Sequence, residues 1–259
     1  MDSSRRCFLK MAGIAAVGLG ARPAVQAAAA TDAHDPKTQV RKDPRALKAK
    51  QWAMVIDTRK LKEIEPLVEA CHTAHNVPQF SNRDHEIKWI WETRYHNAFP
   101  DTPNFYQSHE VEQRPFAVLC NHCENPPCVR ACPTQATFKR EDGIVLMDFH
   151  RCIGCRFCMA ACPFGARSFN FKDPRGGLRD KDINKAFPTR MMGVVEKCNF
   201  CAERLAIGKM PICVEASNGA MVFGDLKDPH SEVREVLSHN YTIRRRQSLG
   251  TEPCVYYIV

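Results

Sequence analysis

The sequence predicts an α+β fold built from many short elements, and three observations carry that reading. Seventeen prolines and only 8% aromatic residues among 259 leave little room for long helices or a large aromatic core. Fourteen cysteines crowd at tight, regular spacing, so much of the chain is organised by sulfur. Short runs of strand character alternate with short helical runs. The length suits one large domain or two small ones.

The elements follow in chain order. Ser4 to Lys10 reads "SRRCFLK", a twin arginine with an apolar residue and Lys behind it, and "MAGIAAVGLGA" and "AVQAAAA" come next. This resembles a Tat export signal over residues 1–30, with cleavage near Ala27 to Ala30. The apolar stretch of about eleven residues falls short of the roughly 20 that a spanning helix needs. The mature chain is therefore expected in the periplasm, exported folded, as suits a protein whose cofactor is installed first. "WAMVID" (Trp52–Asp57) and "FAVLC" (Phe116–Cys120) read as strands. "RKLKEIEPLVEACHTAHNVP" contains one cysteine, Cys71, with no other within forty residues on either side. Leu61, Ile64 and Leu67 are spaced to share one helical face. "ATFKREDGIVLMDF" is a hairpin turning at Asp142-Gly143, and "SEVREVLSHN" is a helix starting beside Ser231. "HEIKWIWETRYHNAFPDTPNFYQSHE" and the C-terminal "YTIRRRQSLGTEPCVYYIV" are expected to form surface strands and docking loops.

The formal charge of +8 does not point to nucleic acid. Lys and Arg are scattered among acids without aromatic interleaving. The run Arg244 to Arg246 reads first as a solvated face and second as a docking site for an acidic partner.

Three cysteine groups carry the chemistry. "CNHCENPPCVRACP" places Cys120, Cys123, Cys128 and Cys132 at x2, x4, x3. "CIGCRFCMAACP" places Cys152, Cys155, Cys158 and Cys162 at x2, x2, x3. "CNFCAERLAIGKMPICVEAS" places Cys198, Cys201 and Cys213 at x2 and x11, with Ser217 where a fourth would fall. A C-x2-C-x2-C loop wraps three thiolates around one iron–sulfur cube, and the cysteine after x3 and before Pro ligates a neighbouring cube. Disulfides fit poorly, because arrays this tight have the wrong geometry. Zinc would need paired knuckles about a dozen or more residues apart, which only the third group offers. Attached haem c needs C-x-x-C-H, which is absent. His72, His75 and His122 lie near these groups and read as hydrogen-bonding or surface residues rather than metal ligands. No nucleophile, phosphate-loop or dinucleotide motif is present, so a non-catalytic electron-transfer subunit is the expectation.

Together with "VVEKCNFCAERL" and "CVEASNGAMVFGDLKDPHSEV", these stretches resemble the four-cluster ferredoxin subunits of DMSO-reductase-type and related membrane redox complexes, over about Gln51 to Val233. That resemblance implies two ferredoxin-like cluster-binding modules in pseudo-twofold arrangement within residues 51–259. The outer module is about 51–78 plus 194–226, and the inner about 114–171. The family has a fourth group at the positions held here by Leu61, Ile64, Leu67 and Cys71, and its groups pair outer with outer. The resemblance thus implies three [4Fe–4S] clusters. Their ligands are Cys120, Cys123, Cys128 and Cys162; Cys152, Cys155, Cys158 and Cys132; and Cys198, Cys201, Cys213 and Cys71. The abandoned site would have used positions 61, 64, 67 and 217, none of which is cysteine. Three oxidised clusters at about −2 each would bring the mature charge of about +5, left once the signal is lost, close to neutral.

Export, a soluble mature form and the absent cluster resemble most the periplasmic iron–sulfur subunits of Dsr complexes in dissimilatory sulfur metabolism. The implied partners are an NrfD-type membrane subunit and a periplasmic multihaem cytochrome c, with membrane association through partners and no nucleic acid. The alternative is the electron-transfer subunit of a periplasmic molybdoenzyme, such as a polysulfide or tetrathionate reductase. A cluster-based redox sensor stands third.

Overall fold

The computed structural model describes residues 43–104, 106–178 and 183–259. The expected export signal lies outside them. Strands run in order β1 (Trp52–Asp57), β2 (Ile90–Thr93), β3 (Phe116–Leu119), β4 (Thr137–Lys139) and β5 (Val145–Met147). They continue with β6 (Ser168–Phe169), β7 (Val195–Glu196), β8 (Met221–Asp225), β9 (Thr242–Ile243) and β10 (Val255–Ile258). Helices are α1 (Glu65–Ala74), α2 (Tyr95–Ala98), α3 (His109–Gln113) and α4 (Pro127–Arg130). Then come α5 (Phe157–Ala160), α6 (Ala202–Leu205), α7 (Ile212–Ala216) and α8 (Glu232–His239). This is a mixed helix and strand fold of short elements, as the proline count predicts.

One sheet has the order β8-β1-β10-β9, and three two-stranded ladders pair β2-β3, β4-β5 and β6-β7. β1 is apolar from Trp52 to Ile56 and buried on both faces, antiparallel to β8 and parallel to β10. The β4-β5 hairpin turns at Gly143, whose φ of +84° suits a residue without Cβ. α8 is capped as expected, with Ser231 accepting from the Arg234 amide.

Three expectations need correction. The C-terminal strand is core, not surface: Tyr257 and Val255 are fully buried, and β10 fills the centre of the sheet. The stretch from His85 likewise buries Trp89, Ile90 and Phe99. Alternation could not separate a half-exposed strand from a central one, because the covering elements lie far away in sequence. Leu61 and Ile64 precede α1 rather than sharing its face with Leu67. Pro66 occupies the first turn and lacks the amide needed for the helix to run back through it. In the run Arg244 to Arg246, the middle residue, Arg245, is buried.

Candidate metal centres

The first set forms at the end of β3. This strand delivers Cys120, α4 carries Cys128, and Cys162 arrives after α5. Cys120, Cys123, Cys128 and Cys162 together line one cavity with about 330 Å³ of empty space, alongside Val145, Phe164 and Arg167. Burial pushes the Cys123 thiol pKa up, and Cys120, Cys128 and Cys162 add to that shift.

The second set lines a cavity with about 270 Å³ of empty space: Cys132, Cys152, Cys155 and Cys158, beside Thr137, Met147 and Arg156. Gly154 makes its loop possible. Its φ is +70°, and a Cβ there would stand 2.4 Å from the Gly193 carbonyl oxygen. Cys155 is exposed, so this set reaches the surface.

The third set joins two ends of the cysteine pattern. α1 packs against α7, which brings Cys71 to Cys213. Burial drives the Cys71 thiol pKa well up, and Cys198, Cys201, Cys213 and Glu203 push in the same direction. Cys201 answers to burial, then to Cys213 and Cys198, and burial raises Cys213 to about 11. All four are buried.

These donor sets suit an iron–sulfur core. Thiols crowded under burial cannot ionise together unless a multivalent cation compensates them, and thiolates are the ligands such a core takes. The walls of the first and second cavities each supply four cysteine sulfurs and otherwise mainly apolar surface. Leu61, Ile64 and Leu67 pack into the main core, at 4%, 1% and 2% exposure. Ser217 is spoken for by backbone: its hydroxyl donates to the Val214 carbonyl at 2.8 Å and accepts from the Met221 amide at 3.0 Å.

Neighbouring sites touch electrostatically. Cys128 acts on Cys158, and Cys120 acts on Cys198. The first set lies between the other two: Arg167 on its wall donates to Thr137 on the second cavity's wall, and the stack of His122 on Phe200 joins its loop to that of the third. His122, between Cys120 and Cys123, accepts from the Val145 amide at 3.1 Å through Nδ1, and burial holds its pKa well down. His75 Nδ1 lies 2.8 Å from the Cys71 carbonyl, which can only accept, so Nδ1 carries a proton. Its Nε2 stands 2.8 Å from Glu203. His75, Cys201 and Glu203 keep their ligand atoms within 4.8 Å of one another, which sets the imidazole against the third set. Cys254 is buried outside these quartets: its amide donates to the Asn121 carbonyl in the first ligand loop at 2.9 Å, and its sulfur accepts a 3.4 Å contact from Gln51 Nε2.

Sequence reasoning passed over the buried charges Arg167, Arg190, Glu196 and Lys197, and took Arg245 for part of a solvated face. Lys197 directly precedes a ligand candidate and Arg167 lies inside "CPFGAR". A basic residue that close to a cysteine group was the available signal.

Among the described residues, no helix is long and apolar enough to cross a membrane. A family model described as a 4Fe-4S dicluster domain matches residues 111–175. The chain is 42% identical to Hdr-like menaquinol oxidoreductase iron-sulfur subunit 1 of Archaeoglobus fulgidus, over 98% of this chain and 97% of that one. It is 34% identical to the B component of tetrathionate reductase from Salmonella typhimurium, over 100% of this chain and 89% of the relative. Against the B component of polysulfide reductase from Wolinella succinogenes it is 33% identical, over 81% and 95%. With cysteine quartets of this kind and relatives matched along nearly their whole length, the protein belongs to the family of ferredoxin-type iron–sulfur electron-transfer subunits.

Proposed function

We propose that this chain holds three [4Fe–4S] clusters and relays single electrons between a membrane quinone-interacting subunit and a periplasmic redox partner. The observation that carries the count is the approach of Cys71 to Cys198, Cys201 and Cys213 across 127 residues of sequence. It completes a third quartet, while the positions of a fourth are aliphatic or hydroxyl. Cys120, Cys123, Cys128 and Cys162 hold the first site, and Cys152, Cys155, Cys158 and Cys132 the second. In this reading the first two sites form an inner module and the third an outer one, the two related by pseudo-twofold symmetry. Bound clusters supply one-electron transfer at iron that is fully capped by thiolate. The protein's part is to exclude water with apolar walls, to space the sites, and to set the charge around each. With every corner capped by cysteine, the chain offers no coordination position to a substrate, so the reading is a non-catalytic subunit.

The quinone side is supported by likeness to a subunit of a menaquinol oxidoreductase. We place the chain in a Dsr-type complex, after Tat export, with an NrfD-type membrane subunit and a multihaem cytochrome c as partners. A second reading, the electron-transfer subunit of a periplasmic molybdoenzyme, is supported by likeness to components of tetrathionate and polysulfide reductases. Anaerobic analysis of the purified chain should return about twelve iron and twelve sulfide. About sixteen, or zinc in place of iron, overturns the proposal. Co-purification with a haem c subunit favours the first setting, and with a pterin oxidoreductase the second.

A further inference from the structure

Three buried cations surround the first site, none of them in ion-pair contact with a carboxylate, although Asp101 acts on Arg245 from farther off. Arg167, Lys197 and Arg245 are 5%, 2% and 5% exposed, and among the described residues none has an acidic side chain within ion-pair distance. Arg190, equally buried, shows the usual solution by pairing with Glu196 at 2.7 Å. A buried charge left uncompensated is costly, so something anionic must face these three.

Each cation points to the same place. Arg167 lines the first cavity. Its Nη1 donates to Thr137 Oγ1 at 3.1 Å and lies 3.1 Å from Met147 Sδ, both on the wall of the second cavity. Its Nη2 is buried with no hydrogen-bond partner. Burial works to lower the Arg167 pKa, yet Cys128, Cys158 and Cys120 turn the net direction upward. Lys197 Nζ donates to the carbonyls of Val145, on the first cavity wall, and of Cys198, in the third set, the latter at 2.7 Å. Arg245 donates from Nε to the Ala98 carbonyl at 3.0 Å and lies 5.5 Å from the ring centroid of Phe164, which lines the first cavity. Its Nη1 is buried without a partner.

The other two sites are surrounded differently. The second shares Arg167 and has Arg156 on its wall, but it is partly open to water at Cys155. The third shares Lys197 and feels Arg204 at Cys213, but has the Glu203 carboxylate acting on Cys71 and Cys201. Only the first site receives all three cations.

We propose that Arg167, Lys197 and Arg245 are positioning residues that make the Cys120, Cys123, Cys128 and Cys162 site the first of the three to accept an electron. This rests on the three-cluster reading above. The step is uptake of one electron from a low-potential donor, with no bond made or broken and no proton taken up. It leaves the site one charge more negative, and fixed cations nearby stabilise that product more than the oxidised form. Since this site lies between the other two, the relay has its resting point in the middle.

The test is an anaerobic redox titration of the cluster-replete full chain, followed by electron paramagnetic resonance with dithionite as reductant. The earliest signal should persist in Cys71→Ala and move to lower potential in Arg167→Gln and in Arg245→Gln. Arg167→Lys, which keeps the charge, should move it less than Arg167→Gln does. If Arg167→Gln fails to retain iron, Arg245→Gln decides alone, because Arg245 faces only the first site. An earliest signal that vanishes in Cys71→Ala, or one unmoved by Arg245→Gln at full iron content, overturns the inference. A wild-type iron count away from about twelve overturns the three-cluster reading itself, which is a separate failure.

Discussion

His122 and Phe200 stack face to face, their ring centroids 3.7 Å apart and their planes inclined by 20°. Each ring comes from a ligand loop: His122 precedes Cys123, and Phe200 stands between Cys198 and Cys201. Both residues have left-handed backbone, at φ of +42° and +53°, a conformation that costs energy and persists only where surrounding structure enforces it. The stack thus pins the first site's loop to the third's. Phe200 is 1% exposed, so Phe200→Ala should cost about 3–5 kcal/mol. At about 2–4 °C per kcal/mol for a chain of this size, thermal unfolding of the replete protein should fall by roughly 10 °C. A drop below about 3 °C would show that the rings only touch.

Arg190 and Glu196 form the most deeply buried ion pair among the described residues, both side chains being wholly inaccessible. Glu196 also accepts from Trp89 Nε1 at 3.0 Å and from Asn170 Nδ2. Arg190 donates to the carbonyls of His75 and Asn76 at the end of α1. The pair therefore ties β7 to the helix bearing Cys71. Glu196→Gln strands a buried guanidinium and should cost about 3–5 kcal/mol. Arg190→Met together with Glu196→Gln should cost less than the two single changes added. Additive losses in chemical denaturation would refute the coupling.

How much of this was legible beforehand depended on range. Cysteine spacing is a local signal, so the three groups and their Cys-Pro ends could be read directly, as could the Asp142-Gly143 turn and the Ser231 cap. The role of β10 could not, since its burial depends on β1 about 200 residues earlier. Pro66 did carry the information that α1 begins late, but the spacing of Leu61, Ile64 and Leu67 masked it. Buried cations were only faintly legible: Arg167 and Lys197 stand beside cysteine groups, yet they look like surface residues until the walls around them are placed.

The raised thiols predict an alkaline weakness in the protein stripped of iron. Cys213 moves from its ordinary 9.0 to about 11 on burial, and Cys71 and Cys201 also move upward. A group whose pKa is higher folded than unfolded stabilises the fold below its unfolded value. That stability fades as pH climbs toward the folded value. Stripped protein should accordingly lose thermal stability between about pH 9 and pH 11, whereas replete protein, its thiolates already coordinated, should lose much less. Equal slopes for the two forms would contradict this.

Gly154 should be intolerant of any side chain. The 2.4 Å approach of a Cβ to the Gly193 carbonyl meets backbone, which cannot swing aside, and a φ of +70° adds strain. Gly154→Ala should disorder the loop carrying Cys152 and Cys155 and lower the iron count from about twelve to about eight. Gly176→Ala, at a position with open space around it, serves as control. Full iron content in Gly154→Ala would place the loop elsewhere.

Cys71 bears the decisive test of the third site. Its sulfur lies 3.7 Å from His75 Nδ1, in the same buried region as Cys198, Cys201 and Cys213. Cys71→Ala should remove one cluster and leave about eight iron, because the first two sites draw all their sulfurs from residues 120–162. The two surviving spectra should match those of the wild type. Ser217→Cys should add nothing, since Leu61, Ile64 and Leu67 would still supply no ligand and the new thiol would displace a hydroxyl engaged with Val214 and Met221. Cys254→Ser should leave the count unchanged, as Cys254 packs with Ala53, Val55 and Ile258 instead. Retention of about twelve iron in Cys71→Ala together with loss in Cys254→Ser would transfer the fourth ligand from the first cysteine to the second.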